Sequence, residues 1–322
     1  MRASDRGRCI FGICVAAALL AGCALYPGEP PIAARAELGT LWMAPGTNTK
    51  DLLYVTNGTV SVYSYPQGEL EGQLTGFSDA VGDCTDSNGN VYITDYTADT
   101  VAEYAHGGTR SIRTLSVPGS GALACAVDPS SGDLAVTTAG NASGTGANVA
   151  IFRKAKGKPK TYTYRAILGY SFCAYDNAGN LFVDGTPAQG YGYDYELAEL
   201  PRLGKSFTPV NLDNGISWAA DLQWNGHYLA VGQPVDPNIS RYTISAGYGT
   251  FVGSTELAGA YDATQFVIAG TKAIVVNLYY YDRYIARWDV LVFNYPAGGY
   301  QTQEILESSV PVYSVALSRR RK

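Results

Sequence analysis

Histidine is nearly absent from this chain. There are two among 322 residues, beside two methionines and a charged fraction of only 16%. His106 and His227 each lie next to glycine in a turn, which leaves a Ser-His-Asp triad without a well-placed base. The net charge is −5, so a general nucleic-acid binder is excluded. Phosphate-loop and dinucleotide fingerprints are missing, and so are paired CxxC motifs. Helix-forming charged residues are few, whereas glycine (37) and tyrosine (25) are plentiful. With the frequent Val and Thr, this composition points to an all-β protein.

The longest early apolar run, Cys9 to Leu20, is too short to span a bilayer. It follows a basic start, Met1-Arg2-Ala3-Ser4-Asp5-Arg6-Gly7-Arg8, as in an export signal. The run ends in Leu20-Ala21-Gly22-Cys23, which resembles the bacterial lipobox. That resemblance implies cleavage before Cys23, acylation of Cys23 and anchorage in a lipid bilayer. Residues 1–22 are then a signal peptide, and the mature protein belongs to the cell envelope. Ala24, in place of Asp, implies by resemblance to Gram-negative sorting an outer-membrane or cell-surface location. Residues 1–22 carry three Arg and one Asp, so their loss takes the net charge from −5 to −7.

Residues 23–50 contain Tyr26-Pro27-Gly28-Glu29-Pro30-Pro31 and show no strand or helix period, so they are expected to form a lipidated tether. From residue 51 an apolar strand recurs, at Leu53-Tyr54-Val55-Thr56, Val91-Tyr92-Ile93-Thr94, Leu134-Ala135-Val136-Thr137, Leu181-Phe182-Val183-Asp184, Leu229-Ala230-Val231-Gly232 and Ile274-Val275-Val276-Asn277. The spacings are 38, 43, 47, 48 and 45 residues, the period of a four-stranded propeller blade. A second register follows each copy, from Val60-Ser61-Val62-Tyr63 to Val290-Leu291-Val292-Phe293. The first repeat lacks an inner strand. Val312-Tyr313-Ser314-Val315-Ala316-Leu317 is expected to supply it and close the ring. The predicted fold is a six-bladed β-propeller over 51–318, with a basic tail at 319–322 expected to be a frayed terminus.

Asp86 to Thr94 and Asp176 to Asp184 share the pattern Asp-x-x-Gly-Asn, then Val or Leu, an aromatic, and Ile or Val. This resembles the NHL-repeat type of propeller. The resemblance implies the six-bladed fold and little about function.

The loops are long on one face, which points to binding there. A non-enzymatic binding or scaffolding role is expected, with Tyr170, Tyr191, Tyr193, Tyr195, Trp218, Tyr261, Tyr280 and Asp282 as candidate contacts. Tyrosine offers a flat apolar face and a hydroxyl at small entropic cost. An envelope protein, a peptide or a glycan would suit such a surface, with no cofactor. The alternative is a metal-dependent hydrolase resembling the gluconolactonase type, with Asp83, Asp221 and Asp262 holding a divalent cation. After loss of the signal and acylation of Cys23, three cysteines remain: Cys84, Cys125 and Cys173. Packed sheets lie ~10 Å apart, so buried thiols are expected. A Cys84–Cys125 bridge also stays open to an exported chain.

Overall fold

In the structure, a computed structural model, residues 40–141, 143–188, 195–215, 221–234, 236–280 and 286–321 are described. Six sheets, antiparallel apart from two short parallel pairs in blade 5, are arranged as the blades of a propeller. Blade 2 shows the plan: Ala80–Thr85 innermost, then Val91–Asp95, Thr100–Tyr104 and Ser111–Ser116. The inner strands of blades 3 to 6 are Ala122–Val127, Ile167–Tyr175, Leu222–Trp224 and Asp262–Ala269. Blade 1 takes its inner strand from the chain end. Ser314–Ser318 pairs antiparallel with Asp51–Thr56, placing Leu317 opposite Leu53 and Val315 opposite Val55.

The second strand of each blade is apolar on both faces because blades stand on either side of it. Leu52 and Tyr54 pack with Val91 and Ile93 of blade 2. Leu53 and Val55 point the other way and pack with Ile274 and Val276 of blade 6. All four blade-1 side chains are fully buried. Each such burial stabilises the fold by roughly 1.5–3 kcal/mol.

The recurring turn follows from its residues. Asp86 Oδ1 accepts the N–H groups of Asn88 (2.8 Å) and Asn90 (2.9 Å). Asp176 Oδ1 does the same for Ala178 and Asn180, both at 2.8 Å. Gly89 (φ 80°) and Gly179 (φ 85°) take the left-handed position that a side chain would strain.

In blades 1 to 3 the threonine that ends the recurring four-residue apolar motif of the second strand joins the neighbouring blade. Thr56 Oγ1 donates to Val81 O of blade 2 (2.8 Å), Thr94 Oγ1 to Leu123 O of blade 3 (2.7 Å), and Thr137 Oγ1 to Ser171 O of blade 4 (2.8 Å). Thr94 also accepts Gly82 N–H at 2.9 Å, where the blade-2 ladder shifts register. A hydroxyl both donates and accepts, so it fills the gap in its own blade and holds the next.

Three expectations need correction. The stretch assigned to the tether holds a strand: Trp42–Met43 pairs with Leu70–Leu74, adding a fifth strand to blade 1. Two extended residues suffice to cover an otherwise free sheet edge, and so short a segment carries no readable period. The basic tail is docked at residues 319–321. Arg320 N–H donates to Asp51 Oδ1 (3.0 Å) and its guanidinium to Thr49 O (3.0 Å), while Arg321 Nε donates to Asn88 O (3.0 Å). Finally, Cys84 and Cys125 form a disulfide with Cα atoms 5.7 Å apart, and among the described residues Cys173 alone is a free thiol, buried in the core. Blades radiate from an axis, so their inner strands approach more closely than the mid-sheet spacing. A Cβ at Gly82 would collide with the Leu123 carbonyl oxygen of the adjacent strand.

Candidate functional site

The six inner strands surround a central channel with a cavity of about 540 Å³. Strand pairing aligns one ring of its wall. Val315, Asp83, Cys125, Cys173, Leu222 and Gln265 lie opposite Val55, Ile93, Val136, Val183, Val231 and Val276 of their own blades. All six ring residues line the cavity, one from each blade. Asp79 and Tyr313 precede their inner strands and stand at the loop-face end. Thr85, Val127 and Trp224, at strand ends, lie toward the opposite face.

Charge in this wall has one sign. Among the described lining residues are Asp79, Asp83 and Asp221, and no Lys, Arg or His. Asp83 is 7% exposed, and its Oδ1 accepts the Ser314 hydroxyl at 2.6 Å. Its Oδ2 is buried without a hydrogen bond. Burial pushes the Asp83 carboxyl up to about 8, offset in part by Ser314 and the Ala316 N–H, while the Asp221 charge raises it further. Asp221 is 6% exposed and accepts the N–H groups of Leu222 (2.8 Å) and Phe266 (3.0 Å). Burial still carries it up to about 7. Asp83 therefore keeps its proton at neutral pH, and Asp221 exchanges its own near neutrality.

The remaining polar groups knit blades 5, 6 and 1. Gln265 Oε1 accepts Val315 N–H at 2.8 Å. The Gln223 side chain donates to Phe266 O (3.0 Å) and accepts Ile268 N–H (2.9 Å). Trp224 stacks on Phe182 with centroids 6.3 Å apart, and its indole Nε1 is buried without a partner. The Cys173 thiol is pushed up by burial, as expected of an unreactive core thiol.

The candidate contacts from the sequence fare unevenly. Tyr170 is 1% exposed and packs with Phe207 in the core, so it presents no binding face. It begins an apolar stretch of inner strand, where tyrosine serves as a large core residue. Tyr195 is half-buried beside Asp184, and burial drives its hydroxyl well above the usual value. Tyr261 is 52% exposed and packs edge-on against Tyr279 at 5.6 Å between centroids. Cys23, Tyr191, Tyr193, Trp218, Asp282 and the Tyr280 side chain lie outside the described residues. Of the three aspartates considered for a metal, Asp83 and Asp221 share the channel, and Asp262 is not in its wall. Among the described residues no three or more His, Cys, Asp or Glu side chains converge as a ligand group. A hard divalent cation takes six to eight oxygens, more than the carboxyls of Asp83 and Asp221 carry between them.

Neither histidine lines the channel. His227 is exposed, but His106 is not the surface histidine its turn suggested. Its Nε2 donates to Lys50 O at 2.9 Å and its Nδ1 bonds Ser318 Oγ at 2.6 Å, so it fastens the closing strand.

The fold and its channel define a six-bladed β-propeller. Among solved structures the chain is similar to one in a nidogen/laminin complex, with a TM-score of 0.63 and 11% identity, covering 85% of this chain and 100% of that one. No family model matches the chain, and no curated protein sequence matches it.

Proposed function

We propose that this propeller is a non-enzymatic binding module, of the NHL-repeat type, carried into the cell envelope on a lipid-anchored exported chain. Its ligand occupies the central channel and enters from the long-loop face. One observation carries this: the cavity of about 540 Å³ is walled by all six blades, and two of its lining residues, Asp83 and Trp224, each keep a buried polar atom, Oδ2 and Nε1, that makes no hydrogen bond within the protein. Buried polar groups normally find partners, so unpartnered ones in a ligand-sized cavity favour a partner from outside. The Asp-x-x-Gly-Asn turns support the repeat type, and Leu20-Ala21-Gly22-Cys23 supports lipidation.

The test is to fill the channel. Ala126 lines it. An Ala126→Trp variant that keeps the native circular dichroism should lose the thermal shifts that small molecules of any charge give the parent. Equal shifts in both proteins would remove the channel as the site. The anchor is checked separately: acyl-chain labelling in a bacterial host should disappear in Cys23→Ala.

A further inference from the structure

We propose that the channel ligand is a small organic cation, a primary ammonium with an apolar or aromatic body, held through Asp83 and Asp221. This rests on the channel being the binding site and names what it takes. The wall offers three carboxyls and no cationic side chain among the described residues, so an anion would find no counter-charge there. Asp83 is more than nine-tenths buried, and its Oδ2 makes no hydrogen bond. An ammonium N–H is the donor that such an oxygen accepts most strongly. The rest of the wall is apolar or aromatic: Phe172, Tyr175, Leu222, Trp224, Val315 and the Cys84–Cys125 bridge. Aromatic faces attract organic cations and bury their hydrocarbon. A hard divalent cation instead needs six or more oxygens, more than the two carboxyls carry. The cavity of about 540 Å³ holds a drug-sized molecule, far more than one ion requires.

Binding such a cation ionises an acid that is otherwise protonated. The ammonium keeps its protons, the carboxyl gives up its own, and that proton passes to the buffer. Affinity must then fall as pH drops below the values at which Asp221 and Asp83 ionise, about 7 and about 8. The other titratable groups lining the cavity are Asp79 and Tyr96 of blade 2, Cys173 and Tyr175 of blade 4, and Tyr313 ahead of the closing strand. Blades 3 and 6 present none, since Cys125 is in the disulfide and Gln265 and Val267 do not titrate.

The experiment uses 2-phenylethylammonium, its neutral counterpart 2-phenylethanol, its anionic counterpart phenylacetate, and calcium, each titrated calorimetrically into the mature protein. The ammonium should bind about tenfold or more tighter than the alcohol, and phenylacetate should not bind. Repeating the ammonium titration in two buffers of different ionisation heat should show release of about one proton near pH 6.5 and almost none near pH 9. Asp83→Asn should weaken ammonium binding by about tenfold or more and leave the alcohol unchanged. The proton count needs no variant, so it decides the matter even if Asp83→Asn folds poorly. Alcohol binding as tight as ammonium binding, or ammonium binding without proton release near pH 6.5, overturns the cation. Neutral or anionic binding that Ala126→Trp abolishes leaves the channel as a binding site and removes only the cation. Calcium binding that Asp83→Asn abolishes, with no ammonium binding, replaces it with an inorganic ion. No channel-dependent binding by any probe overturns both proposals.

Discussion

The Ser314 hydroxyl donates to Asp83 Oδ1 at 2.6 Å, joining residues 231 positions apart. Ser314 belongs to the strand that closes the ring, and Asp83 to the channel wall of the neighbouring blade. One hydrogen bond therefore ties closure to the channel. Ser314→Ala leaves Asp83 less satisfied in a buried place and should cost about 1–3 kcal/mol in urea unfolding. Ending the chain after Tyr313 is more severe. It uncovers the inner edge of Asp51–Thr56, and soluble protein with a cooperative melt should be lost.

Stability should fall as pH rises. The ordinary carboxyl value is 3.8, and in the fold Asp221 rises to about 7 and Asp83 to about 8. The folded state thus binds these protons more tightly than the unfolded chain. The resulting stabilisation is complete below the ordinary value and is lost as pH climbs through the folded values. The melting temperature should be higher near pH 5 than near pH 9. Asp83→Asn combined with Asp221→Asn should flatten that slope, and an unchanged slope would show that other groups set it.

The Cys84–Cys125 bridge closes a loop with a sequence separation of 41. Replacing both with serine should lower stability by about 2–4 kcal/mol. Cys173 is buried, and burial raises its thiol. A thiol reagent should therefore modify none of Cys84, Cys125 and Cys173 in the native fold, and Cys173 alone of the three after unfolding without reductant.

The threonines between blades make a sharper test of packing. Thr94→Val keeps the shape but removes the bonds to Leu123 O and Gly82 N–H. The two backbone groups stay buried, so a loss of about 1–3 kcal/mol is expected from denaturant unfolding. A neutral substitution would mean that the hydroxyl merely fills space.

Much of this architecture is legible in the chain. The six apolar strands, and the Asp-Gly turns at Asp86 and Asp176, announce themselves because both faces of a second strand are buried and the turn needs positive φ. The closing strand is legible because the first repeat has no inner strand. Thr56, Thr94 and Thr137 stand at the same place in their repeats, and that recurrence was a signal for the ties between blades. The channel was harder to see. Its wall is one residue per blade, and Val315, Asp83, Cys125, Cys173, Leu222 and Gln265 share no chemistry. The disulfide was hidden by a spacing that holds between sheet centres and fails near the axis. Tyr170 misled because tyrosine is as much a core residue here as a surface one.

The most direct test follows the indole N–H of Trp224, a residue that lines the channel and whose Nε1 is buried without a hydrogen bond in the protein. The chain has four tryptophans, so the indole signals in a nitrogen–proton correlation spectrum are few, and Trp224→Phe assigns the one needed. On titration with 2-phenylethylammonium that signal should move saturably in the parent and stay fixed in Ala126→Trp. A ligand that binds while the Trp224 signal stays still would place the site outside the channel and contradict the account.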